Sequence, residues 1–398
     1  VPRRPSQAQA IAWFAVGLVA LFTLLGVVEL WPSGQQVIEP PSGAQPKVES
    51  AKVVAVDRGG CRAGGNAPES AALAECRRVT VEITSGPDDG QVVGFDLGAG
   101  FDISEGDGLR VSASTIDLPE FAGVEVDPYS FSDFERRPAL IVLGLVFVLL
   151  VVLTTRLKGV RALVALGASL IVILGFIVPA IADGNSPVMV ALFGALAVML
   201  LTISITHGVG VVASAAALGT AIALGVAVLV ARTVIEAAHI TGFAQEDATL
   251  LAAGSDSLSI QGLLIAGIVI GALGVLDDLT ISQASTVMAL RAASPSTGGR
   301  DLFRRALRVG EDHVVATINT LALAYAGAAL PVLLIFSVAG TEVSEAINSE
   351  VVATEIVAAA AGGIALMIAS PVTTGLATVL ATQLADEDLE ALDVPHTH

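Results

Sequence analysis

Two kinds of patterning divide the chain: long apolar runs in residues 11–30 and from 138 onward, and short alternating stretches between them. A run of about 20 apolar residues crosses about 30 Å of hydrocarbon as a helix. Such runs predict spans at 11–30, 138–155, 160–182, 187–206, 211–231, 259–281, 313–338 and 354–381, eight in all. The first, "IAWFAVGLVALFTLLGVVEL", follows Arg3 and Arg4 and exceeds the usual apolar stretch of a signal peptide. It reads as an uncleaved anchor, with a cleaved signal as the alternative. "TGFAQEDATLLAAGSDSL" (241–258) predicts a short interfacial helix. "RDLFRRALRVGEDH" (300–313) predicts a basic amphipathic helix on the membrane surface, or the first turns of the seventh span.

Residues 37–137 carry "KVVAV" (52–56), "RVTVEIT" (78–84), "QVVGFDL" (91–97) and "LRVSAS" (109–114), separated by turns such as "SGPDDG" and "SEGDG". Alternation bounded by Gly, Asp and Ser predicts antiparallel strands, five or so in a small barrel or sandwich. Cys61 and Cys76 bracket a Gly- and Ala-rich segment. In an oxidising compartment they pair as a disulfide, whereas free thiols would fit a cytosolic domain. Asp88, Asp89, Asp102, Glu105 and Asp107 lack the spacing of a calcium loop and read as solvated turns.

Composition agrees with the pattern. Hydrophobic residues make up 54% and charged residues only 15%, where a soluble chain has about a quarter charged. Forty glycines and few aromatics suit close helix packing through small side chains. A net charge of −18 argues against nucleic acid as a partner. Basic residues concentrate in "TTRLKGVRA" (154–162) and in 291–308, which holds five arginines, and mark cytoplasmic loops. Acidic loops lie on the opposite side. Both termini are thereby expected in the cytoplasm and the β-rich region outside it. The domain reading is an anchor (1–36), an extracytoplasmic β-rich domain (37–137), a seven-helix membrane domain (138–383) and an acidic cytoplasmic tail (384–398).

Charge inside a span is costly and therefore informative. "GVLDDLTISQAS" (274–285) places Asp277 and Asp278 at the end of an apolar run. Gly271, Gly274, Ser282 and Ser285 share a helix face with Asp278, a small and polar stripe expected to be a buried helix contact. Asp277 lies near Leu273, Ile281, Ala284 and Met288 and is expected to serve the helix end. Asp278 is therefore the favoured proton- or ion-binding carboxylate. In "GEDHVVATINTLALAYAGAALP" (310–331), His313, Thr317 and Thr320 share one face, Asp312 and Asn319 the next. That helix is expected to line a polar path or to bond to Asp278 and Ser282, with Pro331 kinking it. Thr202, Ser204, Thr206 and His207, and "SPVTTG" (370–375), which is expected to break the last span, are lesser signals. Their hydroxyls are expected to bond their own backbones.

Enzyme readings find little support. The five histidines lack metal spacing, and nucleophile-elbow and phosphate-loop motifs are absent where structure would support them. No metal, cofactor or catalytic residue is expected.

"GALGVLDDLTISQAS" (271–285) and "LFRRALRVGEDHVVATINTLALAYAGAALPVLLIF" (302–336) resemble the YibE/F-like family of bacterial multipass membrane proteins. The family pattern is a Gly/Ala-rich segment ending in a single Asp and a Ser, then Thr-x-x-Asn-Thr-Leu-x-x-Ala-Tyr. Here that second motif is Thr317, Asn319, Thr320, Leu321, Ala324 and Tyr325, one residue shorter between Thr317 and Asn319. "RLKGVRAL" (156–163), "VPAIADGNSPV" (178–188) and "ITGFAQED" (240–247) extend the resemblance over about 138–381. Gapless alignment sets the family's Asp at Asp278, with Asp277 replacing an apolar residue. The resemblance implies a bacterial cell membrane location and an anchored β-rich region before a bundle, and names no substrate. The expectation is an α-helical polytopic membrane protein with a small β-domain, a transporter or permease for an ion or small solute. The alternative is a non-transporting envelope protein whose β-domain binds a partner.

Overall fold

In the computed structural model the described residues are 7–34, 48–58, 77–98, 101–113, 128–244, 246–255 and 258–384. The pairing of Cys61 with Cys76 and the acidic tail lie outside them. The chain divides into two compact units: residues 1–41 with 155–398, and residues 42–154.

The second unit holds five strands: β1 (Val48–Arg58), β2 (Arg77–Ile83), β3 (Val92–Leu97), β4 (Gly108–Ala113) and β5 (Tyr129–Phe134). They form one antiparallel sheet in the order β3-β2-β1-β4-β5, and the edge strands β3 and β5 approach each other, giving a half-barrel. Alternation decides what is inside: Val79, Val81 and Ile83 of β2 face Phe95, Leu97, Leu109 and Val111 across the core. A bulge between Val53 and Ala55 bends β1. Among the core residues, the Tyr129 hydroxyl donates to Glu49 at 3.2 Å and to Asp88. The loop carrying Asp88 turns at Gly86 (φ +89), where a Cβ would come within 2.4 Å of the Glu49 carboxylate. The acidic turn residues serve such local bonds: Asp107 accepts from the Ser104 amide at 2.8 Å.

The first unit is helical. It contains α1 (Gln7–Glu29), α3 (Val178–Ala182), α4 (Pro187–His207), α5 (Val211–Ala237), the short α6 (Glu246–Ala253) and α7 (Ile260–Ala293). Then follow α8 (Gly299–Ala328), α9 (Leu330–Ala339), α10 (Val343–Asn348) and α11 (Glu350–Ala381). α2 (Arg137–Val172) joins α3 through one π-turn, Ile173–Ile177. Among the described residues, six helices are long and apolar enough to cross a membrane, seven if the α8–α9 pair counts as one bent span. The difference from eight arises at 137–182, a single 46-residue helical segment broken only at Arg156 (φ 51, ψ −129). Two apolar runs separated by a loop are expected there, but the break occupies one residue. At 1.5 Å per residue the stretches 137–155 and 157–182 are about 28 and 39 Å long, each of the order of the ~30 Å of one crossing.

Helices α5, α7 and α11 pack on one another, with α4 and α8 against them. Their contact faces are rich in alanine, such as Ala216, Ala223 and Ala227 on α5 and Ala361, Ala365 and Ala369 on α11. Small residues let backbones approach closely, the main source of helix association where no hydrophobic drive exists. Two clasps fix loops: Asp183 accepts from Ser33 and Gly34, and Glu350 accepts from Thr241 and Gly242. Residues 300–313 form the first turns of α8, and the chain bends by 59° around Pro331. "SPVTTG" does not break the last span: α11 runs through Pro371 as one helix.

Candidate functional site

Helix α7 starts where Ser259 caps it, its side chain accepting from the Gly262 amide at 2.9 Å. From there the register sends Leu276, Leu279, Thr280, Gln283 and Val287 into the packed interior. Asp277 sits at the edge of that face. It is half-buried, and its Oδ2 accepts a 2.8 Å hydrogen bond from Thr202 of α4. Its Oδ1 is buried with no hydrogen-bond partner among the described residues.

Further polar groups continue along the same face. Thr280 donates to the Asp277 carbonyl at 3.1 Å and meets Thr220 of α5, hydroxyl to hydroxyl, at 2.7 Å. Because the Thr280 proton is committed to that carbonyl, Thr220 supplies the donor. Gln283 donates to Thr374 of α11 at 2.7 Å and to the Ala306 carbonyl of α8 at 2.9 Å. Thr373 presses its hydroxyl against Gly219, where a Cβ would lie only 2.0 Å away. The hydroxyls of Ser370, Thr373 and Thr378 are buried, like Asp277 Oδ1, with no hydrogen-bond partner among the described residues. A polar track therefore runs between α4, α5, α7 and α11. It ends in buried atoms with spare hydrogen-bonding capacity, the condition under which an interior holds water or an ion.

The two aspartates exchange the places expected of them. Asp278, Gly271, Gly274, Ser282 and Ser285 share a face as foreseen, but this chain leaves that face exposed. Close packing is made instead by the Leu and Ala stripe one position round the helix. Asp278 does lie within electrostatic range of His207, at the end of α4, which also senses Lys158.

Nor does α8 turn its polar face inward. It buries Leu302, Ala306, Gly310, Val314 and Leu321 along a narrow stripe. His313, Asp312, Asn319 and Thr320 are exposed, while Thr317 and Tyr325 are partly covered. Thr317 and Thr320 donate to their own backbone, to the carbonyls of His313 and Ala316. The bonds expected from this helix to Asp278 and Ser282 are not formed, because the stripe that packs is the aliphatic one.

Thr280, the one polar neighbour of Asp277 on its face, and Gln283 are not among the site residues expected from the sequence, although both follow Asp277 at helical spacings of three. The lesser signals Thr202 and "SPVTTG" point into the track. Thr374 donates to the Ser370 carbonyl as expected and accepts from Gln283, whereas Thr202 shares its one hydroxyl proton between the Met199 carbonyl at 3.0 Å and Asp277 at 2.8 Å.

Neither a curated protein nor a solved structure matches the chain. The family model for YibE/F-like proteins matches residues 143–383, more than half of the chain and all of the helices that build the polar track. The chain thus belongs to the YibE/F-like family of proteins, and its apolar helices make it a multipass membrane protein.

Proposed function

We propose that this protein is a secondary transporter or channel-like permease of the bacterial cell membrane, with Asp277 taking up and releasing a proton or monovalent cation. In this reading the chain crosses eight times, two of the crossings within residues 137–182. Both termini are cytoplasmic, and the half-barrel lies outside the cell, where Cys61 and Cys76 pair. The observation that carries the proposal is the Asp277 carboxylate: one oxygen is bonded to Thr202 and the other is buried without a partner among the described residues, at the head of the hydroxyl track. A carboxylate in a packed membrane interior is expensive to keep unless function uses it. Asp278 would stand beside His207 at the cytoplasmic mouth of the path, where its negative charge attracts the cation before it reaches Asp277.

Proteoliposomes test this directly. A potassium–valinomycin diffusion potential drives uptake, and an internal pH dye or a sodium tracer reports it. Wild type and Asp278→Asn should carry flux, the latter more slowly, and Asp277→Asn should carry none. The reading fails if wild type is inactive towards both ions or if Asp277→Asn matches it. Labelling Cys61 and Cys76 in intact cells with an impermeant maleimide, before and after reduction, checks the orientation and the disulfide.

A second reading rests on the half-barrel, where Phe101, 42% exposed, meets Phe131 and Phe134 in tilted contacts at 5.0 and 6.4 Å between ring centroids. Such an aromatic patch suits an envelope protein partner. Under this reading the protein transports nothing, and deleting residues 37–137 removes function without disturbing the helical bundle.

A further inference from the structure

Glu355 takes no part in the polar track. It lies on the second turn of α11, five residues beyond Glu350, hence about 7.5 Å along the helix from its first residue. Tyr325 of α8 faces it. Together they separate two hollows in the bundle. One, of about 290 Å³, is bounded by α6, α7 and α11; the other, of about 560 Å³, lies between α8–α9 and α11. Both residues line both hollows.

The larger hollow exists because its walls are made of small side chains. Ala322 and Ala326 of α8 face Ala359, Ala360 and Gly363 of α11, with Ile318 and Met367 closing one end. At Gly363 a Cβ would make only ordinary contact, 3.9 Å from Ile318. Glu355 is the one charged residue of this lining. Among the described residues its carboxylate has no ion-pair or hydrogen-bond partner. Tyr325 sets its hydroxyl close to Gly271, where a Cβ would be 3.1 Å away, so the side chain reaches from α8 to α7.

An unpaired carboxylate against apolar walls calls for a counter-charge that itself tolerates an apolar surrounding. A small hydrated cation would lose its water along the alanine walls and gain only one carboxylate. An onium or ammonium ion carrying an apolar body loses little hydration, pairs with the carboxylate and can use the face of a tyrosine ring. The volume of the larger hollow falls within the range of about 300–1,000 Å³ usual for small-molecule sites.

We propose that Glu355 and Tyr325 form a binding site for a lipophilic monovalent cation, the charged head beside Glu355 and the apolar body between α8 and α11. Two sources share this chemistry: a free hydrophobic amine and the ammonium headgroup of phosphatidylethanolamine. The inference does not depend on transport through Asp277, because binding to the purified chain is measured without flux.

The test is equilibrium binding of tritiated tetraphenylphosphonium to the full chain in a nonionic detergent. Wild type should bind saturably, with dodecylamine competing and neutral dodecanol not competing. Glu355→Gln should weaken binding at least tenfold, and Tyr325→Phe should retain most of it through the ring face. Gly363→Leu, which fills the larger hollow, should abolish it. Asp312→Asn, an exposed carboxylate on the same helix as Tyr325, should leave it unchanged. Unaltered melting and gel-filtration behaviour shows that the variants fold. Equal affinity of folded Glu355→Gln and wild type overturns the site, as does saturable binding by folded Gly363→Leu. In phosphatidylglycerol nanodiscs, competition by added phosphatidylethanolamine identifies the lipid as the occupant, and undiminished binding identifies a free amine.

Discussion

Thr202 of α4 and Asp277 of α7 are joined by a hydrogen bond of 2.8 Å, and the other Asp277 oxygen is buried without a partner among the described residues. Removing the hydroxyl leaves the carboxylate with no side-chain donor in its packed setting. Thr202→Val, nearly isosteric, should therefore destabilise the bundle by about 1–3 kcal/mol, the usual cost of orphaning a buried polar group. Asp277→Asn retains an acceptor oxygen and should cost less. Asp278→Asn, on the exposed face, should leave the melting temperature in detergent unchanged. Thermal unfolding of the three variants ranks them, and the reverse order for the two aspartates would show that the helix is turned otherwise.

Gly310 of α8 and Gln283 of α7 form a second such pair. A Cβ at Gly310 would lie 2.4 Å from the Gln283 amide oxygen, while the amide nitrogen is held by Ala306 and Thr374. The glutamine cannot retreat without losing those bonds. Gly310→Ala should thus cost about 1–3 kcal/mol by overpacking. Adding Gln283→Ala should cost less than the sum of the two single changes, since the clash vanishes with the side chain. A double-mutant cycle on melting temperatures reads this coupling, and simple additivity would refute it.

These pairs show where the sequence is informative. Apolar length located the helices, because crossing hydrocarbon sets a minimum run that composition alone reveals. Alternation in "RVTVEIT" gave β2 its buried face, Val79, Val81 and Ile83. β5, "YSFSDF" (129–134), was passed over even though Tyr129 and Phe131 alternate with serines, because it abuts the next apolar run. Helical spacing also grouped Asp278 correctly with Gly271, Gly274, Ser282 and Ser285. Which face packs was not legible from that grouping. Small residues favour close approach, but so do the alanines of α5 and α11, and only the three-dimensional partners choose between the stripes. Glu355 gave no local signal at all, since its setting is made by residues from α6, α7, α8 and α9.

Tyr129 offers a pH test in the half-barrel. Its hydrogen bond to Asp88, then burial and the nearby Glu49 charge, push its phenol well above the ordinary range. The folded state therefore holds this proton more tightly than the unfolded chain does. The associated stability is complete below about pH 10, where an unfolded tyrosine titrates, and is lost as pH rises beyond it. The chain has two tyrosines, so Tyr325→Phe leaves Tyr129 as the only chromophore of its kind. Absorbance at the tyrosinate band should then stay flat through pH 10 in folded protein and rise there in denaturant. A folded-state midpoint at or below that of the denatured chain would contradict the buried Tyr129–Asp88 contact.

Gly219 and Thr373 separate packing from chemistry in the polar track. A Cβ on Gly219 would collide with the Thr373 hydroxyl at 2.0 Å and approach its Cα to 3.4 Å. Gly219→Ala must push α11 away from α5 or rotate Thr373 into a bundle with little free space, at about 1–3 kcal/mol. Thr373→Ala alone removes a buried hydroxyl that has no partner among the described residues, so it should be neutral or stabilising. The double variant Gly219→Ala with Thr373→Ala should recover much of the lost stability, because the removed oxygen makes the shorter contact. If Thr373 also serves the path from Asp277, that recovered protein should melt like wild type yet carry less flux in proteoliposomes. Full flux in the double variant would assign Thr373 to helix packing alone and confine the path to Asp277, Thr280 and Thr220.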